Sequence, residues 1–346
     1  MKNILFIGLG SIGQRHFRNL KKLNKDFSFF ALRKKRTSPM LDNNNKVINK
    51  KFISSKNGII ELSHKILKKK KFHTVFICNP SSMHIKSSLD YVNKCKNLFI
   101  EKPLSNNMRN VKKLLKKVKL YKTQCAVGFQ LRYHPFANKI RNIIKSKKLG
   151  EIKKADLRNS YYLPYHHKYE DYKISYAANK KLGGGVILCF IHEIDYANFF
   201  FGKPLSVVCV GGKKSKLKID VEDCVSMRVK YKNRKNYFLA KIDLDFLEKN
   251  EKRFCKLVFE KGTIFWNLKY DWMSIKDKNN HLKKIKSPVA NRNDLFLKQI
   301  REVMENFNKH RLPKSNLING VSSLQVALAA KKSLKNNKVV NISNSL

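Results

Sequence analysis

The chain lacks the features of membrane and disulfide-stabilised proteins. No apolar run in its 346 residues reaches the roughly 18 to 20 residues that a membrane-spanning helix needs. The apolar N-terminus is broken by glycine and precedes no small-residue cleavage site, which predicts a first strand rather than a signal peptide. The seven cysteines form no CxxC pair and no His/Cys spacing typical of zinc. We therefore expect free thiols, no metal site and a cytoplasmic location.

Acidic residues are few. There are 24 Asp and Glu against 75 Lys and Arg, which gives a formal net charge of +51. Such a charge is compatible with binding nucleic acid or another polyanion. However, only 14 of the basic residues are arginine, whereas nucleic-acid readers rely on arginine forks and stacked aromatic rings. The lysines are spread along the whole chain beside many Asn and Ile, residues that share A/T-rich codons. A polyanion binder is therefore the least favoured alternative, and we expect no specific nucleic-acid partner.

The hydrophobic pattern changes part-way along the chain. In the first third, short apolar strands alternate with helical segments, which predicts a parallel sheet with helices on both faces. From about residue 150, β-branched and aromatic residues alternate with polar ones between short turns, which indicates a mostly antiparallel sheet. The predicted strands include 3–10, 27–33, 73–80 and 97–103, and the predicted helices include 11–23, 58–70, 83–95, 294–309 and 317–335.

A glycine pattern follows the first predicted strand. GLGSIG places Gly8, Gly10 and Gly13 at the G-x-G-x-x-G spacing between a strand and a helix. Glycines there let the backbone turn tightly and approach a pyrophosphate, and the helix N-terminus at Ser11 and Ile12 supplies free N–H groups. A plain glycine-rich turn would explain the spacing but not its place at the start of a βαβ series. We therefore predict a dinucleotide site at these five residues.

The end of the second predicted strand indicates which dinucleotide binds. An acidic residue there would bind the ribose 2′-OH of NAD, but the chain has Arg33, Lys34, Lys35 and Arg36. A basic cluster suits the 2′-phosphate of NADP, although this signal is diluted in so lysine-rich a chain. We favour NADP over NAD and assign Arg33 to the cofactor site.

Four stretches together resemble a known family. GLGSIGQRH, FICNPSSMH, EKPLS and GGGVILCFIHEIDY, in this order and at these separations, are similar to the Gfo/Idh/MocA oxidoreductases over essentially the whole chain. The stretch YYLPYHHKYEDYKISYAANKKLGGGVILCFIHEIDY resembles a branch of that family found beside surface-polysaccharide genes. The resemblance implies an α/β chain, with a Rossmann-type doubly wound parallel sheet in 1–122 and a C-terminal α+β domain with a large, mostly antiparallel open sheet in 123–346. It also implies dimers or tetramers packed through that sheet.

The resemblance further implies an activity, which is hydride transfer between NAD or NADP and a secondary alcohol or ketone of a sugar, nucleotide sugar or cyclitol. Lys102 matches the family's active-site lysine, and an ammonium group there can polarise a hydroxyl or carbonyl oxygen. His192 matches the family's general acid/base, and an imidazole titrates near neutrality. The residues that match the motifs around the nicotinamide are Asn79, Pro80, Ser81, His84, Glu101 and Lys102. For His84, a helix-cap role is an equally good interpretation.

The apolar stretch 183–202 contains His192, Glu193 and Asp195. Ionisable groups in such a segment either lie on the wet face of an amphipathic helix or are paired in a site. We expect the helix to begin after the triple glycine, with Asp195 orienting His192 or, as we favour, bracing a domain interface. Cys189 stands where the family has an aspartate near the substrate. A thiol is a weak donor that is mostly protonated at neutral pH, so catalysis, substrate or both are expected to differ.

Further residues are assigned to the substrate. Asp171, Tyr172 and Lys173 match the branch's D-Y-R run, with lysine acting as a point charge where arginine would bind bidentately. Arg132 in FQLRYHP is predicted to contact substrate or cofactor. For Tyr161 and Tyr162, two interpretations remain open: they line the pocket or belong to the core. His166 and His167 lack further metal ligands, so we assign them no metal.

A second class of function remains open. Because Cys189 replaces a carboxylate, the chain could be a dinucleotide-binding sensor or regulator without catalysis. The retained Lys102 and His192 favour the enzyme.

Overall fold

The computed structural model describes residues 1–23, 26–34, 38–67, 69–233 and 236–342, so Lys35 and Arg36 lie outside the described residues. The chain forms two compact units. The first consists of Met1–Gln130 and Asn291–Val321, and the second consists of Leu131–Ala290 and Ser322–Leu346. These bounds differ from the expected division after residue 122, because a C-terminal segment belongs to the first unit.

Seventeen strands are present in the described residues. They are β1 (Lys2–Ile7), β2 (Phe27–Leu32), β3 (Met40–Leu41), β4 (Val47–Asn49), β5 (Ile59–Glu61), β6 (Phe72–Ile77), β7 (Cys95–Ile100), β8 (Gln124–Val127), β9 (Ile152–Ser160), β10 (Pro204–Gly212), β11 (Cys224–Asn233), β12 (Asn236–Asp245), β13 (Lys252–Phe259), β14 (Gly262–Asn267), β15 (Trp272–Asp277), β16 (Leu282–Lys286) and β17 (Val340–Asn341).

Ten α-helices accompany them in the same part of the chain. They are α1 (Ser11–Leu23), α2 (His64–Leu67), α3 (His84–Tyr91), α4 (Val111–Leu120), α5 (Pro135–Ser146), α6 (Leu163–His166), α7 (Val186–Cys189), α8 (Ile191–Phe201), α9 (Arg292–Asn308) and α10 (Leu317–Asn336). None of the helices that the structure describes is long and apolar enough to cross a membrane.

The first unit is built on a six-stranded sheet in the order β5-β2-β1-β6-β7-β8. Every neighbouring pair is parallel, as expected for strands linked by helical crossovers. Phe6, Phe76 and Phe99, on adjacent strands, stack at centroid distances of 5.2 and 4.9 Å and form the centre of the core. Because the strands are parallel, the residues that follow β1, β6 and β7 meet at one edge of the sheet.

The second unit contains a nine-stranded sheet in the order β16-β15-β14-β13-β9-β12-β11-β10-β17. Among the described strands of this sheet, only the β12–β9 pair is parallel, and the other pairs are antiparallel. The predicted fold class, a doubly wound parallel sheet followed by a large and mostly antiparallel one, is thus confirmed. Alternate residues of β11 are buried, which is the pattern of a sheet with one covered face.

Segment 291–321 joins the first unit through helix packing and one strand-like contact. The Asn293 amide accepts a hydrogen bond from Arg15 on α1 and donates one to Asn19, at 3.0 and 2.9 Å. The Phe296 ring lies under the Arg15 guanidinium, 4.8 Å from its central carbon. The carbonyl of Ser315 accepts the Val127 N–H of β8 at 2.7 Å. Contacts between residues so far apart in the chain leave no local pattern in the sequence.

One helix expectation was wrong. Residues 58–70 were predicted to be helical, but they contain β5 and the four-residue helix α2. The stretch begins with Gly58 in the left-handed region at φ 76°, and β5 then pairs with β2. Pairing at the sheet edge therefore overrides the helical periodicity of a lysine-rich segment.

Candidate functional site

The glycine-rich turn between β1 and α1 forms a narrow backbone cradle. Gly8 has a φ of 95°, a conformation that favours glycine. A Cβ at Gly13 would lie 2.5 Å from the carbonyl oxygen of Gly8, so only glycine allows this close approach. A Cβ at Gly10, by contrast, would meet no atom of the described residues within 4 Å. The turn is therefore tight on its inner side and open at Gly10.

This cradle fits a dinucleotide pyrophosphate. The first intrahelical bond of α1 runs from the Gln14 N–H to the Gly10 carbonyl at 2.9 Å, so the N–H groups of Ser11 and Ile12 lie at the helix N-terminus. The first turn of α1 has no acidic residue, which leaves the positive end of the helix dipole uncompensated within that turn. These are the groups that bind phosphate at helix N-termini.

Asn79 adds a second group that fits a ligand. It follows β6, and its side-chain amide donates to Ser87 Oγ at 2.8 Å. Its Oδ1 is buried and accepts no hydrogen bond from the residues that the structure describes. A buried acceptor without a donor is costly, and a ligand hydroxyl or amide would supply one. Pro80 and the buried Ser81 continue this loop into a short 3₁₀ helix.

Lys102 follows β7 at the same edge of the sheet and is held through its neighbour Glu101. Glu101 is buried, and its Oε2 accepts the Lys102 N–H at 3.1 Å. Its Oε1 lies 2.6 Å from Nε2 of His16, a fully buried residue of α1. Gly128 faces this carboxylate, because a Cβ there would lie 2.7 Å from Oε1. Glu101 is thus an internal support of Lys102, whereas it was predicted to contact the cofactor.

His84 has a similar supporting position. Its Nδ1 lies 2.8 Å from the carbonyl oxygen of Pro103, and its Nε2 lies 2.7 Å from that of Asn79. Burial lowers the pKa of His84, and the two carbonyl oxygens oppose that effect, because a neutral imidazole can donate to only one of them. Both ring nitrogens therefore face the backbone, and the structure places His84 as a clamp between two loops. This differs from the predicted cofactor contact, although the loops it joins carry the other predicted residues.

Arg33 also has internal partners. Its Nη1 donates to the Phe52 carbonyl, to Ser54 Oγ and to Glu61 Oε1 at 3.0, 3.1 and 3.0 Å. Nη2 donates to Ser38 Oγ at 3.0 Å, and the side chain is only 3% exposed. The guanidinium thus joins the ends of β2 and β5, which is a different role from the predicted 2′-phosphate contact. Lys34, the next residue, is exposed.

In the second unit, the apolar stretch forms two helices rather than one. α7 ends at Cys189, Phe190 has non-helical dihedral angles, and α8 begins at Ile191. Every residue from Ile191 to Phe200 is buried, so the amphipathic interpretation is wrong and the charged groups must be paired. His192 lies in the first turn of α8 and is 7% exposed.

Asp195 is paired with Arg132 rather than with His192. Arg132 Nε donates to Asp195 Oδ2 at 2.8 Å and Nη2 donates to Oδ1 at 2.9 Å, a bidentate pair. Ser323 Oγ also donates to Oδ1, at 2.9 Å. Burial raises the pKa of Asp195, and the Arg132 guanidinium opposes that effect. Asp195 is therefore a brace, as favoured, but one inside the second unit. Arg132 correspondingly supports α8 through this pair, and its predicted contact with substrate or cofactor stays a prediction.

Glu193 has its own partner. Its Oε1 accepts from Nε of Arg253 on β13 at 2.8 Å, and Nη2 lies 2.7 Å from the same oxygen. Two ion pairs thus hold α8: one connects it to the turn before α5, and the other connects it to β13 of the nine-stranded sheet. Two of the three ionisable residues of the stretch, Glu193 and Asp195, are thus each paired with an arginine. Ion pairing therefore explains how Glu193 and Asp195 can lie in a buried, apolar helix.

Cys189 lies beside a tyrosine that the sequence did not single out. The Tyr176 hydroxyl hydrogen-bonds to the Cys189 side chain, and this neighbour together with burial raises the pKa of Tyr176 well above its usual value. The phenol is therefore protonated at neutral pH and available as a donor. No spacing pattern predicted this, because Tyr176 is in a short 3₁₀ helix of a long connection.

Aromatic side chains surround this pair. Tyr161 stacks on His166 at 4.2 Å and packs edge-on against Phe190 at 4.7 Å. A small cavity lies here, and its lining residues all belong to the connection between β9 and α7. They are Tyr161, Leu163, His166, His167, Tyr172, Ser175, Tyr176 and Ala177. Tyr161 and Tyr172 thus line the same small cavity, and Tyr176, another of its lining residues, contacts Cys189.

The remaining predicted substrate residues are placed differently. Asp171 is exposed and caps a 3₁₀ helix by accepting the Lys173 N–H at 3.0 Å. Lys173 is also exposed, and Tyr162 packs against Tyr165 at 4.9 Å. Within the described ranges, no three His, Cys, Asp or Glu side chains are grouped so that they could hold a metal ion.

Comparison with models of protein families identifies the family of this chain. Residues 2–129 match the model described as the oxidoreductase family with an NAD-binding Rossmann fold. Residues 137–265 match the model of the GFO/IDH/MocA C-terminal domain. The chain belongs to the Gfo/Idh/MocA family. Its first unit is accordingly an NAD-binding Rossmann domain, and the resemblance noted in the sequence is confirmed at the level of the family.

Individual members of the Gfo/Idh/MocA family are distant in sequence. The uncharacterized oxidoreductase YrbE of Bacillus subtilis is 26% identical over 141 residues, 40% of this chain and 38% of that protein. Myo-inositol 2-dehydrogenase of Thermotoga maritima is 24% identical over 207 residues, 60% of this chain and 57% of that protein. The chain thus spans about half the length of the curated relatives that it matches.

Solved structures share the whole fold. The crystal structure of the WlbA dehydrogenase from Chromobacterium violaceum, in complex with NADH and UDP-GlcNAcA, superposes with a TM-score of 0.78. The two chains are 16% identical, and the match covers 100% of this chain and 97% of the other. At this identity, the similarity establishes the fold only.

Proposed function

We propose that this protein is an NAD(P)-dependent oxidoreductase that transfers a hydride between the nicotinamide and a secondary alcohol or ketone of a sugar, nucleotide sugar or cyclitol. The observation that supports this most directly is the presence of Lys102 next to the buried Glu101 and of His192 in a buried helix. Lys102 is flanked by a Glu101 carboxylate that accepts its N–H, and His192 is buried in the first turn of α8.

Each residue has a distinct proposed role. When bound, the dinucleotide accepts or donates the hydride. The Lys102 ammonium polarises the substrate oxygen and favours its deprotonated form. The His192 imidazole takes the hydroxyl proton during oxidation and returns it during reduction. The helix N-terminus of α1 and the glycine turn hold the pyrophosphate, and Asn79 Oδ1 accepts a ligand hydrogen bond.

The direct test is turnover by the purified chain with NAD or NADP and a panel of polyols, inositols and nucleotide sugars. Lys102→Ala and His192→Asn are each expected to lower kcat by about 100-fold or more. Lys122→Ala is a matched control, because it also removes a lysine from the first unit but lies after α4. Dinucleotide binding without turnover of any substrate would favour the sensor instead.

Cys189 and Tyr176 modify this proposal. Tyr176 supplies a neutral hydroxyl donor beside the thiol, so the pair can orient a substrate hydroxyl without the family's carboxylate. Cys189→Asp is therefore expected to change kcat, upward if the pocket still accepts an anion. Tyr176→Phe is expected to raise KM more than it lowers kcat, because it removes a binding contact only. An unchanged rate in both variants would remove the pair from the site.

The choice of dinucleotide needs a revised assignment. Because Arg33 is paired with Glu61, the proposed preference for NADP rests on Lys34 and on Lys35 and Arg36. Arg33→Ala is expected to lower stability with little change in the NADP-to-NAD ratio of kcat/KM, whereas Lys34→Ala is expected to lower that ratio several-fold. A ratio that favours NAD in the unaltered protein would end the NADP preference.

Two relatives support the substrate class. Myo-inositol 2-dehydrogenase is named for a cyclitol, and the WlbA structure contains a nucleotide sugar. We propose the same class of polyhydroxylated ring here, within a branch associated with surface polysaccharides. A dimer or tetramer and a cytoplasmic location stay predictions, and the seven free thiols are compatible with the latter.

A further inference from the structure

Two buried histidines of the first unit contact the chain on either side of Lys102. His16, on α1, lies 2.6 Å from the carboxylate of Glu101, the residue before Lys102. His84, at the start of α3, lies 2.8 Å from the carbonyl oxygen of Pro103, the residue after it. Both rings are fully buried, with exposures of 0% and 1%. The turn that carries Lys102 is therefore held from two different helices.

Each contact also reaches a second part of the predicted cofactor site. Glu101 accepts the Lys102 N–H through its other oxygen, so the His16 contact extends through the carboxylate to the Lys102 backbone. His84 Nε2 meets the Asn79 carbonyl at 2.7 Å, which ties the loop after β6 to the turn after β7. His16 is in the helix that begins at the glycine cradle. The two rings thus link the cradle, the Asn79 loop and the Lys102 turn.

The buried ring of His16 lies in an apolar part of the first unit. His16 packs edge-on against Phe99 at 4.9 Å and against Phe296 at 6.2 Å, so its ring lies among apolar side chains. A polar ring in an apolar core costs free energy unless its hydrogen bonds are needed. Gly128 leaves room for the Glu101 carboxylate, which indicates that the pair is an integral part of the packing.

We propose that His16 and His84 are positioning residues that together fix the Lys102 amine for catalysis. This inference rests on the proposed role of Lys102. Neither ring is proposed to touch the substrate or the dinucleotide. Their effect is on the placement of one amine, because a shift of about 1 Å in a reacting group can reduce the rate by about 100-fold.

The variants are chosen to remove a hydrogen-bonding ring with little change in volume. His84→Phe keeps a planar ring and removes both contacts, and His84→Gln restores one amide donor. His16→Gln keeps a donor toward Glu101 at a different reach. His73→Phe is the matched control, because His73 lies near the amino end of β6, away from the loops at the carboxyl end. Circular dichroism of the full chain checks that each variant is folded.

Two measurements read the position of Lys102. In turnover, His84→Phe is expected to lower kcat by about 10- to 100-fold with a less than threefold change in the KM of the dinucleotide, and His84→Gln is expected to recover part of the loss. Competitive amine labelling with peptide mass spectrometry reports Lys102 without turnover. There, His84→Phe and His16→Gln are expected to change the labelling rate of Lys102 at least threefold, with that of the exposed Lys112 unchanged.

The outcomes separate the two proposals. If the unaltered protein oxidises no polyol but Lys102 labelling responds to both variants, the proposed function fails and the positioning role stands. If folded His84→Phe and His16→Gln leave both kcat and Lys102 labelling unchanged, the positioning role is overturned. Equal changes at Lys102 and Lys112 would show a general loosening of the unit, which also overturns it.

Discussion

The two units hold the groups proposed for catalysis by different means. In the first unit, backbone atoms predominate: glycines form the cradle, and His84 meets two carbonyl oxygens. In the second unit, charged side chains predominate, because α8 is braced by the Arg132–Asp195 and Arg253–Glu193 ion pairs. A buried ion pair has to be changed as a pair, because removing one partner leaves an uncompensated buried charge.

The difference follows from the surroundings of each site. The edge of a parallel sheet already presents N–H and carbonyl groups to a ligand, so few charged side chains are needed there. α8 is buried on all sides and has no solvent to hydrate its carboxylates. Each of the two carboxylates is therefore matched by a guanidinium, and these pairs anchor the helix whose first turn carries His192.

The largest effect is expected from breaking one ion pair. Asp195→Ala leaves the Arg132 guanidinium buried and is expected to lower the free energy of unfolding by about 3–5 kcal/mol in urea denaturation. The double variant Arg132→Met with Asp195→Leu removes both charges and is expected to recover most of that loss. Asp243→Asn, in a half-buried pair with Lys241, is the control and is expected to cost under about 1 kcal/mol. A loss below 1 kcal/mol for Asp195→Ala would contradict the comparison.

A smaller effect on stability is expected in the glycine cradle, together with a separate effect on binding. Gly13→Ala places a Cβ against the Gly8 carbonyl and is expected to cost about 1–3 kcal/mol of unfolding free energy. Gly10→Ala has open space and is expected to change stability by less than about 0.5 kcal/mol. Both are expected to weaken NADH or NADPH binding about tenfold or more, measured by fluorescence titration. Full affinity in Gly10→Ala would exclude the cradle as the phosphate site.

The smallest effect concerns His73, a partly buried histidine near the amino end of β6. Burial and the charges of Lys2 and Lys96 lower the pKa of His73 to about 4. Between the ordinary pKa near 6.5 and about 4, the unfolded chain binds the proton more readily, so stability falls as the pH falls through this window.

His73→Gln removes this group and is expected to reduce the acid-dependent loss by about 1–2 kcal/mol between pH 6.5 and 4.5. Urea denaturation of both proteins at several pH values measures the difference. Parallel pH profiles would show that His73 is protonated equally in both states.

The fold was predictable where local patterns agree with their surroundings. The glycine spacing, the apolar strands and the alternation after residue 150 each state a local preference that the two sheets satisfy. The segment 58–70 failed because its lysine-rich periodicity is overridden by pairing of β5 with β2. The membership of α9 in the first unit depends on contacts such as Asn293 with Arg15, 278 residues apart, and these cannot be deduced from neighbouring residues.

The sequence predicted which residues lie at the candidate site better than it predicted what each of them does there. Motif matching selected Glu101, His84, Arg33 and Arg132, yet each has internal partners in the structure. A match to a motif does not say whether a side chain faces a ligand or supports a neighbour that does. Tyr176 was missed for the opposite reason, since it has no motif and reaches Cys189 only through the folded connection.

The insertion of the second unit between the two parts of the first has a consequence for synthesis on the ribosome. The contacts of β8 with Ser315 and of α1 with α9 can form only after residues 131–290 of the second unit have been translated. A nascent chain of the first 130 residues would therefore expose the surfaces that these late segments cover. The first unit is therefore completed only when residues 291–321 have left the exit tunnel, after the main part of the second unit.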